Sequence, residues 1–218
     1  VTLSGAATGT LTGTGAGNRV SLTFTPTAGT LTLTVSGSVT SAMLEAGSFP
    51  TSYIPTTTAQ VTRSSEVAKV TQLAPWHNVA EGTLYAEFSY ELNARPGTVA
   101  SFDDGTASNR IFIAGFSSNQ RLNGAVTKDG NNVSTIVLND GVTWSGKVAF
   151  GIQQADMAAA FNGVMGSSTN YVGALPPVSQ LSIGGGNTAA VSRVNGHIRS
   201  IRYWPRRLSN AELQGITA

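Results

Sequence analysis

Apolar residues in this chain recur at every second position over long stretches, clearest in Val20-Ser21-Leu22-Thr23-Phe24-Thr25 and Thr30-Leu31-Thr32-Leu33-Thr34-Val35. A period of two places alternate side chains on opposite faces of an extended backbone, so these segments are expected to be half-buried antiparallel strands with Thr on the outer face. Turn residues separate them at Gly13 to Asn18 and at Pro26-Thr27-Ala28-Gly29. From Gly82 onward the pattern predicts strands at Leu84 to Leu92, Thr98 to Phe102, Arg110 to Gly115, Gly124 to Lys128, Thr135 to Leu138, Lys147 to Gln153, Ala158 to Phe161, Gln180 to Ile183 and Gly196 to Trp204. Between them stand Asp104-Gly105, Asp129-Gly130, Asp140-Gly141 and Asn162-Gly163, pairs that tolerate the positive φ of tight hairpins. Only one helix is expected: Ser209 caps it, Glu212 completes a capping box, and Leu208 staples to Leu213. The fold class is therefore all-β, an antiparallel β-sandwich with a small N-terminal β module and one short C-terminal helix.

Domain organisation follows from where the alternation breaks. Phe49-Pro50-Thr51-Ser52-Tyr53-Ile54-Pro55-Thr56-Thr57-Thr58 has the composition of a semi-rigid connector, so residues 1–58 are expected as a Thr-rich module with connector and 59–218 as the sandwich. Among 218 residues only 11% are charged, and a net charge of +2 from 13 basic and 11 acidic side chains excludes a nucleic-acid-binding face. Cysteine is absent, which removes disulfides, thiolate metal sites and Cys nucleophiles. No stretch reaches the ~20 apolar residues of a membrane-spanning helix, so no membrane insertion is expected. The start at Val1-Thr2-Leu3-Ser4, with no initiator Met and no apolar leader, points to a fragment or processed piece of a longer polypeptide.

Three segments carry a family resemblance. Glu81-Gly82-Thr83-Leu84-Tyr85-Ala86-Glu87-Phe88 resembles the opening strand of the laminin-G or concanavalin-A-like lectin sandwich. Trp144-Ser145-Gly146-Lys147-Val148-Ala149-Phe150 with Ala159-Ala160-Phe161-Asn162-Gly163 is similar to the hairpin of that family, and Val194 to Leu213 to its closing strand and capped turn. Upstream, Leu44 to Thr56 looks like the C-terminal edge of a carbohydrate-binding-type jelly roll that precedes such lectin domains in bacteriophage tail fibres and tailspikes. The resemblance implies a lectin/laminin-G-like jelly roll in a virion protein, assembled in the host cytoplasm. It implies attachment to host cell-surface polysaccharide without catalysis, with contacts to other virion proteins. The alternatives are a capsid or tail decoration module and a glycoside hydrolase. A Thr-rich sheet with few charges also leaves faces and edges that gain from symmetric pairing, so a homo-oligomer, a trimer, is expected.

The candidate residues are these. Glu87 and Glu91, four apart on a strand, share a face as the acid and nucleophile of sandwich-fold glucanases do; Ser89 replaces the intervening Asp of those enzymes, so a polar sheet face is the preferred reading and no enzyme is expected. Trp76 and His77, in a loop after Pro75, together with Trp144, are candidates for stacking on a sugar ring. Asp103, Asp104, Asn109 and Arg110 complete the expected ligand-binding set. Their loop also carries the oxygen donors of a Ca²⁺ site, but the spacing matches no regular calcium loop, and an Asx-stabilised turn is preferred; no other cofactor is expected. His77 and His197 lack a third metal ligand, Gly184-Gly185-Gly186 lacks the helix of a dinucleotide site, and Trp204 reads as structural. Arg199, Arg202, Arg206 and Arg207 form the basic cluster, either salt-bridged or facing an anionic polysaccharide.

Overall fold

The computed structural model describes residues 1–15, 17–47, 50, 53–61, 67–90, 97–116, 121–139, 145–167, 171–185, 193–194 and 196–218, with the backbone alone for Asn139. The chain divides into two compact units, Val1–Ser65 and Glu66–Ala218. In the first, β1 (Thr2–Gly5), β2 (Gly9–Thr10) and β3 (Leu31–Thr34) form an antiparallel sheet in the order β2-β1-β3, with Leu3 opposite Leu33. Leu3 and Ala6 are its buried apolar residues among those described, while Leu33, Val35 and Leu44 are exposed. Val20–Thr25, expected as a strand, is not one. Alternation states which residues share a face of an extended segment and does not by itself pair that segment with a neighbour.

The second unit holds β4 (Ala68–Val70), β5 (Glu81–Tyr90), β6 (Thr98–Asp103), β7 (Arg110–Phe116), β8 (Arg121–Lys128), β9 (Asn131–Asn139), β10 (Ser145–Gln153), β11 (Ala158–Phe161), β12 (Val164–Met165), β13 (Gln180–Ile183), β14 (Gly196–Trp204) and α1 (Asn210–Thr217). A six-stranded sheet runs β4-β13-β6-β7-β8-β9 and a five-stranded sheet β12-β11-β10-β5-β14, with every pairing between strands antiparallel. Two of the turns are what their dipeptides require. Asp129 and Gly130 take φ of 50° and 80°, and Asn162 and Gly163 take 47° and 78°, the doubly positive pattern of a hairpin whose twist matches its strands.

Between the sheets lies the main core, in which Leu84, Phe88, Val148 and Phe150 of the five-stranded sheet meet Phe102, Ile113, Leu122 and Ile136 of the other. Gly124 lets Phe150 settle on the opposing strand: a Cβ there would stand 2.9 Å from the ring. The opposite face of β5 is also covered, because Tyr85 joins Ala149, Ala160, Leu208 and Leu213 in a second cluster beneath α1. That helix begins as its sequence requires. Ser209 Oγ accepts from the Glu212 amide and Glu212 Oε2 accepts from the Ser209 amide at 2.7 Å, while Leu208 and Leu213 are buried on either side of the cap.

Strand β14 departs from simple alternation. A bulge between Ile198 and Ser200 inserts one residue, so Ile198 falls with Ile201 and Tyr203 on the core side rather than with Arg202 and Trp204, where a strict period of two would put it. Trp204 lies edge-on to Tyr85 with ring centroids 6.3 Å apart, on the side of the helix.

Candidate functional site

Register brings the ends of several strands to one end of the sandwich. Glu81 stands opposite Gln153, Thr83 opposite Trp204, and in the other sheet Asp103 faces both Arg110 and Gln180. The two sheets are joined there by Phe102 and Tyr203, whose rings are 5.1 Å apart. Trp76 and His77 add to this cluster: Trp76 meets Tyr203 edge-on at 5.5 Å, and His77 stacks on Tyr203 at 5.6 Å with 19° between planes.

Beside this cluster opens a cleft of about 540 Å³, a size that small ligands occupy. Phe102, Ile111 and Ile152 contribute buried apolar surface, and Leu175, Pro176, Pro177 and Val178 line it from the segment before β13. Its polar members are His77, Asn78, Glu81 and Gln154, with the Tyr203 hydroxyl. Gly82 makes the wall possible, because a Cβ at that position would stand 2.6 Å from the Tyr203 ring and hydroxyl. Tyr203 is fixed by its oxygen, which accepts from the Asn78 amide at 3.1 Å and donates to the Glu81 carbonyl at 3.2 Å. Burial raises its pKa and so keeps it a phenol. Burial lowers the pKa of His77, leaving the imidazole neutral at pH 7 with one donor and one acceptor nitrogen.

Of the residues expected from sequence, His77 lines this cleft. Trp76 stands behind it, half-buried, its indole N–H donating to the Gln72 carbonyl at 2.9 Å and its ring packed against the main core. Trp144 and Glu91 lie outside the described residues.

The Asp103–Arg110 loop spends its polar atoms on itself. Asp104 Oδ1 accepts from the Thr106 amide at 2.8 Å and its hydroxyl at 2.6 Å, and Asp104 Oδ2 accepts from Asn109 Nδ2 at 3.0 Å. Slight burial raises the Asp104 pKa, but these bonds outweigh it and hold the carboxyl below its ordinary value. Asn109 Oδ1 accepts from the Asp129 amide. Asp103 is buried; its Oδ1 accepts from the Gly105 amide and from Gln180 Nε2 at 2.7 Å, and its Oδ2 has no protein partner. Arg110 lies 4.1 Å above the Phe112 ring. Such a loop is an Asx-stabilised turn. Most of the oxygens that invited Ca²⁺ are occupied by N–H and O–H donors, and among the described residues no group of three or more His, Asp or Glu side chains is placed to hold a metal.

Glu87 lies on the outer face of the five-stranded sheet, between Lys147 and Ser200 in register, with Arg199 Nε 3.6 Å from its carboxylate. The other arginines of the 199–207 cluster are similarly engaged: Arg202 over the Tyr85 ring, Arg206 with Glu212 at 2.8 Å, and Arg207 with Asp156 at 2.8 Å.

No protein-family model and no curated protein matches the sequence. Solved structures do resemble its fold. The CBM40 of Ruminococcus gnavus IT-sialidase bound to alpha2,3 sialyllactose superposes with a TM-score of 0.55 at 15% identity, covering 65% of this chain and 84% of that one. The same module bound to alpha2,6 sialyllactose gives 0.55 at 14% identity, covering 71% and 97%. The NanB sialidase of Streptococcus pneumoniae gives 0.53 at 12% identity, covering 64% of this chain and 24% of that one. At these identities the likeness is one of fold. This chain is an all-β, lectin-like jelly-roll sandwich with a short C-terminal helix.

Tyr203, Asn78, Glu81, Gln154 and the 174–178 segment were not singled out from sequence. Two local signals point to part of the set: Gly82 within an otherwise bulky strand marks close approach by another side chain, and Pro176-Pro177 marks an extended segment laid along a surface.

Proposed function

We propose that Glu66–Ala218 is a non-catalytic glycan-binding domain that takes host-surface polysaccharide in the cleft beside His77 and Tyr203. The observation that carries this reading is the cleft itself, where a tethered aromatic pair stands beside hydrogen-bonding side chains, the combination by which proteins hold a sugar between an apolar ring face and polar groups. Likeness to sialidase carbohydrate-binding modules supports the same class of ligand. The ion pair of Glu87 with Arg199, on an outer sheet face and away from the cleft, argues for an absence of glycosidase chemistry.

The finer reading is a tail-fibre or tailspike segment of a phage virion, assembled in the host cytoplasm. It rests on the resemblance of Leu44–Thr56 and Val194–Leu213 to such proteins. A second role, contact with other virion proteins or other copies of the chain, is favoured by the exposed Leu33, Val35 and Leu44 in a unit with little buried apolar surface. A trimer at micromolar concentration by analytical ultracentrifugation is the expected state, and a monomeric mass speaks against it.

The test is a host-glycan array probed with the intact chain and with His77→Ala, run beside an assay for released oligosaccharide. The expected result is captured glycan, no release, and weakening by His77→Ala of about 1 to 3 kcal/mol, the range of lost stacking contacts. A shortened polysaccharide would return the hydrolase reading, and an array blank for the intact chain would remove the glycan reading.

A further inference from the structure

The cleft has polar capacity left over after the fold's own hydrogen bonds, and the sign of that remainder discriminates among sugars. Asn78 is partly spent, with one Nδ2 hydrogen donated to the Pro205 carbonyl and its Oδ1 accepting from the Ala80 amide. Gln154 donates its Nε2 to the Val172 carbonyl, and Glu81 Oε2 accepts from the Arg207 amide at 2.9 Å. Among the described residues, Gln154 Oε1, Glu81 Oε1 and the two ring nitrogens of His77 remain without a protein partner. The second amide hydrogens of Asn78 Nδ2 and Gln154 Nε2 are also left over, and a neutral imidazole supplies one donor and one acceptor. The unspent polar groups are therefore mixed, as sugar hydroxyls require, and the one formal charge among the lining side chains is the negative charge of Glu81.

The cations nearby stand outside the lining. Lys128 Nζ donates to the Ala174 carbonyl at 3.1 Å, Arg206 forks to Glu212, and Arg207 donates to Asp156, Asn210 and the Leu208 carbonyl. No Lys or Arg lines the cleft among the described residues, and the charged side chain that does is Glu81.

We infer that the cleft selects an uncharged sugar, one that donates hydroxyls to Glu81, Gln154 and His77 while its apolar ring face lies against Tyr203 and the prolines, and that it rejects sialylated or otherwise anionic glycans. This rests on the reading of the cleft as a glycan site and parts from the sialyllactose named for the structural neighbours. A carboxylate brought into the cleft meets the like charge of Glu81 in a partly desolvated space, and the lining offers it neutral N–H donors but no guanidinium or ammonium among the described residues.

The experiment measures binding of the intact chain to neutral oligosaccharides and to the same oligosaccharides bearing one terminal sialic acid, lactose and sialyllactose among them, by isothermal titration at 0.15 M salt. The neutral member of each pair is expected to bind at least about tenfold more tightly. Glu81→Gln keeps an acceptor for the Arg207 amide and removes the charge, so it is expected to narrow that ratio by about threefold or more. Sialylated members binding as tightly as their neutral parents, or a ratio unmoved by Glu81→Gln in a variant with the parent's melting temperature, overturns the inference. Binding by no member of any pair overturns it as well. In each of these cases the glycan reading stands if the host-glycan array still captures the chain, and falls only if that array is blank.

Discussion

Both units of this chain are built from short antiparallel strands, and they arrive at different kinds of structure. In Glu66–Ala218 the alternating faces of two sheets close on each other, and side chains such as Leu84, Phe102, Ile113 and Phe150 are at most 1% exposed. In Val1–Ser65 the alternation Leu31-Thr32-Leu33-Thr34-Val35 leaves Leu33 and Val35 about half exposed, at 45% and 51%. A period of two states which residues share a face and is silent on whether a second layer covers it. Aromatic content marks the difference: the sandwich core is built around Phe88, Tyr90, Phe102, Phe150 and Phe161, while the strands of the first unit carry no aromatic residue.

The largest effect that tests this contrast is a paired truncation. Phe150→Ala empties a fully buried site and is expected to cost about 3 to 5 kcal/mol of stability, whereas Leu33→Ala is expected to change the sandwich by less than about 0.5 kcal/mol. Denaturant unfolding followed by tryptophan fluorescence, whose three reporters all lie in the second unit, measures both effects on the sandwich. A cost of Leu33→Ala comparable to that of Phe150→Ala would show that Leu33 supports the sandwich and overturn the contrast.

A smaller loss separates the two roles open to Trp76. Its ring contacts Phe102, His77 and Tyr203, and its N–H is held by Gln72, so Trp76→Ala is expected to lower stability by about 2 to 3 kcal/mol while the folded fraction keeps its affinity for glycan. Melting curves beside binding isotherms decide the matter. Unchanged melting with lost affinity would restore Trp76 to the site.

Gly82→Ala tests the wall of the cleft. The added methyl has to displace Tyr203, and overpacking of this kind is expected to cost about 1 to 3 kcal/mol and to weaken glycan binding together with stability. Tyr203→Phe in the same background, which removes the hydroxyl nearest the new methyl, is expected to recover part of the stability.

The strands of the sandwich were legible because burial on one or both faces forced a pattern that local residues also obey: the hairpin dipeptides at 129–130 and 162–163, and the box of Ser209 with Glu212. What escaped depended on long-range geometry. Trp76 looked exposed because it follows a proline in a loop; it is half-buried because the Phe102 and Tyr203 rings, distant in sequence, meet beneath it. The polar loop at 103–110 offered ligand chemistry by composition, but hydrogen bonds inside the loop consume most of it. His77 entered the candidate set as the neighbour of Trp76 in the loop after Pro75, whereas Glu81, Asn78 and Gln154 carry no local mark of lying around one cleft. The bulge in β14 likewise reassigns Ile198 to the core, and nothing in Gly196-His197-Ile198-Arg199-Ser200 announces the extra residue.

The smallest effect concerns pH and the clasp of the C-terminal helix, a feature of the second unit with no counterpart among the described residues of the first. The fork from Arg206 and the bonds from the Ser209 amide hold the Glu212 carboxyl well below its ordinary value, at about 2. A carboxyl whose pKa is depressed by folding contributes stability that is complete above its unfolded value of about 4.5 and disappears as pH falls toward 2, because the unfolded chain binds the proton first. The group is fully exposed, so salt screens much of the attraction and the effect is a modest downward slope of melting temperature across that interval. His77 acts in the same direction at higher pH, since burial lowers its pKa and the unfolded state protonates first below about 6.5. The two are separable. Glu212→Gln is expected to flatten the slope between pH 4.5 and 2 relative to the parent and leave the region near 6.5 unchanged, and raising the salt to about 1 M is expected to shrink the difference between parent and variant. Calorimetric scans at half-unit pH steps measure this, and parallel curves for parent and Glu212→Gln below pH 4.5 would show that the clasp adds nothing to the fold.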